Sequence, residues 1–131
     1  MRPRLIMLRL LLAAAPVALS GCFLAAAGAG AAGAIVYTNR GASSDVAGTV
    51  DQAFDHAVAS FGQNGVTETG RSTEDNGIKR RLVGQKGEFE VTVDLQRASD
   101  ATTKVEVIAR RNAVDYDKAL AKTILNGILA K

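Results

Sequence analysis

The sequence predicts an α+β fold, a two-layer sandwich in which two helices pack on one face of an antiparallel meander of about four strands. Two amphipathic segments with a period of 3.6 residues predict the helices. Between them, apolar residues alternate with polar ones and turn signals recur, which predicts strands. The expected order is α-β-β-β-β-α, and an extra edge strand from residues 41–47, before the first helix, is an open alternative.

The first 21 residues have the organisation of a cleavable signal peptide. Arg2, Arg4 and Arg9 precede an apolar run from Leu10 to Ala15, and small residues follow at 20 and 21. A basic start, a short apolar centre and small residues at the cut are typical of secretory signals. We therefore expect residues 1–21 to be removed from the mature protein.

The tetrad Leu19-Ser20-Gly21-Cys22 resembles the lipobox of bacterial lipoproteins, in which an aliphatic residue and two small ones precede an obligatory cysteine. Small residues let the backbone enter a narrow peptidase cleft, and the thiol of Cys22 is the nucleophile that takes up a diacylglyceryl group. A buried core cysteine would not explain why the only cysteine of the chain follows such a stretch. The sequence therefore predicts lipidation of Cys22 and attachment of the protein to a membrane through that lipid.

The positive charge of the whole chain belongs to the predicted signal peptide. Removal of Arg2, Arg4 and Arg9 from the 16 basic residues leaves as many basic as acidic residues, of which there are 13. A neutral mature domain has no net field that attracts phosphate backbones, so we expect no nucleic-acid partner. With Cys22 lipidated, no disulfide is expected either.

Residues 22–40 are predicted to be the lipidated cysteine and a membrane-proximal tether rich in glycine and alanine. As a helix, residues 23–36 would span about 21 Å, less than the ~30 Å of a bilayer core. If the signal is not cleaved, residues 5–19 and 23–36 together form an alternative anchor. A second alternative is a helix-packing face of Ala26, Gly30 and Ala34, which have the small-xxx-small spacing.

The tether also contains a dinucleotide-binding pattern, G-x-G-x-x-G, at Gly28, Gly30 and Gly33. That pattern binds a pyrophosphate only where it follows a buried strand and opens a helix within a βαβ unit. Here it follows a signal peptide, and no parallel sheet is predicted after it. We expect no cofactor.

The folded domain is predicted to comprise residues 41–131 and to begin with a helix over residues 49–61. Thr49 and Gln52 fit a capping box, while Gly62 and Gly65 fit a helix end. The apolar stripe of this helix consists of Val50, Ala53, Phe54, Ala57, Val58 and Phe61.

Four strands and a second helix are predicted after the first helix. Asp75-Asn76-Gly77 predicts a type I′ hairpin, and Gln85-Lys86-Gly87 predicts the next turn. The predicted strands comprise residues 66–73 and 78–83, the alternating Phe89, Val91, Val93 and Leu95, and the alternating Val105, Val107 and Ala109. The last helix is predicted over residues 115–130, with Asp115 and Asp117 near the positive end of its dipole.

Catalytic and metal sites are not predicted. The only histidine, His56, lies off the apolar stripe of the first helix, so we interpret it as a solvated surface residue. Glu88, Glu90 and Asp94 are expected on one face of a strand, and we favour ion pairs with basic residues across the strands over an acid/base couple. The carboxylates are not clustered as metal ligands.

Two basic clusters, Lys79-Arg80-Arg81 and Arg110-Arg111, are each predicted to lie in a strand. Since neighbouring residues of a strand point to opposite faces, each cluster is expected to split. Contact of their outward members with anionic lipid head groups is a further hypothesis.

The chain has a lipobox cysteine, a Gly/Ala-rich stretch ending near Tyr37, a helix, a strand meander and a final helix. This layout resembles a family of small bacterial lipoproteins known only as a domain of unknown function. In that family a Tyr-Pro pair precedes the first helix, where this chain has Ala47-Gly48, and a Trp stands where this chain has Phe54. The resemblance covers residues 22–131 and implies no enzymatic activity.

The sequence therefore predicts a non-enzymatic structural or interaction module of the cell envelope, lipid-anchored and facing the periplasm, with a possible envelope protein as partner. Phe23 after the cysteine favours the outer membrane over the inner. The alternative is a binding module for a small apolar or lipid ligand held between helices and sheet, for which we expect an internal cavity of a few hundred Å³. No small-molecule substrate is identified.

Overall fold

The structure is a computed structural model that describes residues 34–130. Within this range six antiparallel strands form one sheet, in the spatial order β1-β2-β6-β5-β4-β3, and two helices pack on it. The α+β prediction is confirmed. The elements are β1 (Val36–Tyr37), β2 (Gly41–Ala47), α1 (Val50–Gln63), β3 (Thr67–Glu74), β4 (Lys79–Lys86), β5 (Phe89–Ser99), β6 (Thr102–Arg110) and α2 (Lys118–Leu129).

The segment at residues 41–47 forms a full strand of the sheet. β2 pairs with β6 from Gly41 opposite Ile108 to Ala47 opposite Thr102, and the two-residue strand β1 lies outside it. The helix-facing residues of β2 are Ala42, Ser44 and Val46, all buried. Because two of these three side chains are small or polar, the alternation of hydrophobicity in β2 is weak, and pairing with β6 along its whole length defines the strand.

The described part of the fold includes residues before 41, the residue at which the domain was predicted to begin. Ile35 packs against the core, and the hydroxyl of Ser44 donates a hydrogen bond to the carbonyl of Ala34 at 3.1 Å. Val36 and Tyr37 then pair with β2. Residues 34–40, assigned to the tether from their composition, are thus part of the sheet edge.

The capping box predicted at the start of α1 is confirmed. The Thr49 hydroxyl accepts a hydrogen bond from the Gln52 amide at 3.2 Å, and the Gln52 side chain accepts one from the Thr49 amide at 2.9 Å. Just before it, Gly48 has a φ of +115° and donates its N–H to the Ala101 carbonyl. A proline at position 48 could supply neither this φ nor this donor.

The hairpin between β3 and β4 contains the predicted Asn-Gly turn. The carbonyl of Asp75 accepts the amide of Ile78 at 3.1 Å, and φ is +55° at Asn76 and +91° at Gly77, as in a type I′ turn. Asp75 also has a positive φ, so the loop is longer than a two-residue hairpin. β4 consequently starts at Lys79, one residue later than predicted.

The two helices lie side by side in close contact. The Ser60 hydroxyl of α1 donates a 2.6 Å hydrogen bond to the Ile124 carbonyl of α2, and a Cβ placed on Gly127 would lie 2.4 Å from the Ser60 Oγ. α1 packs on β4 and β5, whereas α2 packs on β2 and β6. The central core residues between the layers are Phe54, Leu82, Val91, Val93, Leu95, Val105, Val107, Ile124, Leu125 and Ile128.

Candidate functional site

The predicted lipidation site, Cys22, lies outside the described residues, as do Gly28, Gly30 and Gly33 of the dinucleotide-like pattern. Of the segment predicted to be a tether, the structure describes residues 34–40, which lie at the sheet edge. Among residues 34–130, no helix combines the length and the apolar character that a membrane crossing requires.

At this junction the chain enters the sheet edge through a tight hairpin. The Thr38 amide donates to the Gly41 carbonyl at 2.9 Å, and the Thr38 hydroxyl accepts the Gly41 amide at 2.9 Å, which closes the turn between β1 and β2. Val36 and Tyr37 are both exposed in β1. The ammonium of Lys122, on α2, lies 5.8 Å from the centroid of the Tyr37 ring, within cation–π range.

The face of the sheet opposite the helices carries charged side chains that pair across strands. Arg81 of β4 stands opposite Asp94 of β5, with 2.5 Å between Nε and Oδ1, and this hydrogen bond raises the pKa of the arginine. Glu90 of β5 stands opposite Arg110 of β6, with 3.1 Å between Oε1 and Nη2. The predicted cross-strand ion pairs are confirmed at these two carboxylates.

Glu88 lies outside the strand in which it was predicted, although it lines the same surface depression as Glu90 and Arg110. It follows Gly87, whose φ is +58°, in the turn before β5 begins at Phe89. Arg111 contacts both Asp115 and Glu88. Its hydrogen bonds to these two carboxylates raise the pKa of the guanidinium, and the bond to Asp115 contributes more than the bond to Glu88. All three predicted carboxylates thus have arginine partners.

The cluster Lys79-Arg80-Arg81 splits between the faces as predicted, whereas in the second cluster Arg111 lies outside the strand, because β6 ends at Arg110. Lys79 and Arg81 lie on the uncovered face, where Lys79 approaches Asp75 at 3.6 Å, while Arg80 points to the helix side of the sheet. These pairs reduce the excess positive charge that the head-group hypothesis requires of the two clusters.

Arg80 belongs to a stacked arrangement at the base of α1 that sequence analysis missed. Its guanidinium carbon lies 3.5 Å from the centroid of the buried Phe54 ring, and its Nη1 lies 3.0 Å from Asp51. Its side chain is 19 % exposed, and its Nε is buried without a hydrogen-bond partner among the described residues. The available signal was the alternation of β4, which places Arg80 on the same side as Leu82.

A second arginine contacts the same ring from β3. The guanidinium of Arg71 lies 5.2 Å from the Phe54 centroid, and it donates to both oxygens of Glu68 at 2.6 and 2.8 Å. The hydrogen bonds from Arg71 hold the pKa of Glu68 below its ordinary value of 4.5. The two arginines join α1 to β3 and β4.

His56 is half-buried, which corrects the interpretation of it as a fully solvated residue. It lies on α1, and its Nδ1 is buried without a hydrogen-bond partner in the described structure. Residues 34–130 contain no group of three or more His, Cys, Asp or Glu side chains placed to hold a metal ion.

Four depressions of the described structure lie on its surface. One of about 290 Å³ and one of about 170 Å³ share Asp94 and Gln96 on the uncovered face, and one of about 460 Å³ lies between Gln85 and Arg111. A fourth, of about 210 Å³, lies between the start of α1 and the turn at Ser99. None of these four lies between helices and sheet, where the apolar-ligand alternative requires a cavity, so that alternative gains no support from them.

The comparison with known proteins gives a family. Over residues 5–130 the chain matches the family described as "Protein of unknown function (DUF3568)". The chain belongs to this family. The match confirms the resemblance to a domain of unknown function, and the description of DUF3568 states no activity. No curated protein matches the chain.

Proposed function

We propose that this DUF3568 protein is a bacterial lipoprotein, cleaved before Cys22 and anchored by lipid on that cysteine, whose domain acts in the periplasm as a non-enzymatic structural or interaction module. The observation that carries the proposal is the position of the only cysteine, directly after a basic, apolar and small-residue leader and 12 positions before the first described residue, Ala34. If a lipid is attached at Cys22, the whole described fold follows the attachment point in the chain.

Two further observations support the anchor. The family match begins at residue 5, so residues 5–21 of the leader and the cysteine lie within the length shared with the family. Hydrogen bonding of Ala34 and packing of Ile35 tie the end of the tether into the sheet. A pull on the lipid is thus transmitted to β1 and β2 rather than to a loose terminus.

A non-enzymatic role fits the charged groups of the domain. The carboxylates that sequence analysis singled out, Asp94, Glu90 and Glu88, form ion pairs with Arg81, Arg110 and Arg111. A sheet face covered with cross-strand ion pairs is better suited to binding a protein that carries charges of both signs than to catalysing a reaction of a substrate.

The anchor is tested by metabolic labelling with a palmitate analogue. The intact chain is expected to carry the label, and the Cys22→Ser variant, which changes one atom, is expected to lose it and to leave the membrane fraction. Label that persists in the variant would overturn the anchor. Pull-downs with both forms then separate partners that bind the folded domain from those that require tethering.

Sorting to the outer membrane is part of the proposal and depends on Phe23. In enteric-type sorting an aspartate after the lipidated cysteine retains a lipoprotein in the inner membrane. Phe23→Asp is therefore expected to move the labelled protein from the outer to the inner membrane fraction, with Phe23→Leu as the matched control. Inner-membrane location of the unchanged protein would contradict this part.

A further inference from the structure

The edge strand β1 exposes apolar side chains in a place where a soluble sheet edge usually carries charge or proline. Val36 is 60 % exposed and Tyr37 is 53 % exposed. Val36 is also the last residue of an uninterrupted run without polar or charged side chains that begins at Phe23, and Tyr37 follows it directly. The apolar character of the tether thus continues onto the surface of the folded domain.

The chemistry around this pair matches that of a bilayer interface. Tyrosine is enriched where a membrane meets water, because its ring is apolar and its hydroxyl is polar. Lys122 lies beside the Tyr37 ring, and Arg40 is exposed at the end of the β1–β2 turn. Lysine and arginine at a membrane surface are attracted by anionic head groups.

The length of the tether limits how far this edge can lie from the membrane. From Cys22 to Ala34 the chain advances 12 residues, which fully extended reach about 40 Å and as a helix about 18 Å. Contact between β1 and the membrane surface is therefore within reach of an anchored chain.

The other exposed apolar residues do not share these features. Val114 lies alone in a loop between Asn112 and Asp115, and Ile78 lies alone in the β3–β4 hairpin. Isolated apolar residues are normal on protein surfaces. Only Val36 and Tyr37, among the large apolar side chains exposed within residues 34–130, adjoin each other and the tether.

We infer that the β1 edge, through Val36 and Tyr37, rests on the head-group region of the bilayer and orients the domain, with Arg40 and Lys122 facing lipid phosphates. This inference rests on the proposed lipid anchor. It concerns a different surface from the basic clusters of β4 and β6, which ion pairs occupy.

The absence of tryptophan from the chain allows a direct test. Tyr37→Trp places a reporter on the edge, Val36→Trp is a second reporter if the first does not fold, and Ile78→Trp is the matched control. Ile78 is 42 % exposed and precedes β4, which lies four strand spacings, roughly 19 Å, from β1. Each lipidated variant is purified from membranes, checked by circular dichroism and reconstituted into phosphatidylcholine–phosphatidylglycerol vesicles.

The measurement is quenching of tryptophan emission by brominated phospholipids and by aqueous iodide. The inference predicts that brominated lipid quenches the reporter at 37 or 36 several-fold more than the one at 78, with the opposite order for iodide. Equal quenching of edge and control reporters in protein that carries the lipid would overturn the inference and leave the anchor intact. Absence of the lipid from the purified protein would overturn the anchor and the inference with it.

Discussion

Gly127 offers a sharp test of the packing between the two helices, because two effects of opposite sign compete there. Replacing a helical glycine with alanine stabilises an exposed helix by about 1 kcal/mol. At Gly127, however, the new Cβ would lie 2.4 Å from the Ser60 Oγ and 3.1 Å from the Ser60 Cβ. The substitution therefore displaces the Ser60 hydroxyl, separates the two helices, or does both.

The clash is expected to win. Overpacking of a filled interior costs about 1–3 kcal/mol, and displacement of the Ser60 hydroxyl weakens its 2.6 Å hydrogen bond to Ile124, worth about 1 kcal/mol. Set against the gain in helix propensity, Gly127→Ala should lower the free energy of unfolding by about 1–3 kcal/mol. Equilibrium urea unfolding, followed by far-UV circular dichroism, measures this change.

Gly62 supplies the matched control within the same protein. It lies in the last turn of α1, and a Cβ placed on it would meet no atom within 4 Å. Gly62→Ala should therefore be neutral or stabilising by up to about 1 kcal/mol. If Gly127→Ala stabilises the protein as much as Gly62→Ala does, the close contact between Gly127 of α2 and Ser60 of α1 is refuted.

Three further changes test other contacts. Phe54→Ala removes the ring that two arginines contact and should cost about 3–5 kcal/mol in urea unfolding, whereas a cost typical of a surface residue would contradict the buried placement of that ring. Thr49→Ala removes the N-cap hydroxyl and should cost about 1 kcal/mol, with Thr49→Ser as the variant expected to retain stability. Arg71→Gln should raise the pKa of Glu68 toward its ordinary value in a carboxyl NMR titration. Because the pKa of Glu68 is lowered in the folded state, its contribution to stability is present above pH 4.5 and is lost as the pH falls through the lowered pKa. If the pKa of Glu68 is unchanged in Arg71→Gln, the hydrogen bonds from Arg71 are not the cause of the lowered pKa.

Strong local signals explain why much of the fold could be predicted from the sequence. The apolar stripe and the capping box of α1 are consecutive in the chain, as are the alternation of β5 and the turn at Asn76-Gly77. Each is determined by residues within a few positions, so propensity and pattern suffice.

The features that the sequence left open or missed depend on contacts between distant segments. The strand at residues 41–47 was an open alternative, because β2 has small and polar helix-facing residues and is paired by β6 some 60 positions later. The half-buried state of His56 likewise depends on tertiary surroundings that its helix position does not reveal. For the candidate site, strand alternation predicted that Asp94 and Glu90 each form an ion pair with an arginine on a neighbouring strand. The stacking of Arg80 on Phe54, in contrast, depends on how α1 crosses β4.

The central claim, a lipid on a mature N-terminal Cys22, is tested most directly by mass spectrometry of the tryptic N-terminal peptide from purified membranes. No lysine or arginine lies between Arg9 and Arg40, so trypsin distinguishes the two possible forms. The proposal predicts a peptide of residues 22–40 with the added mass of a diacylglyceryl group on the cysteine. An intact peptide of residues 10–40, or residues 22–40 without added mass, would contradict it.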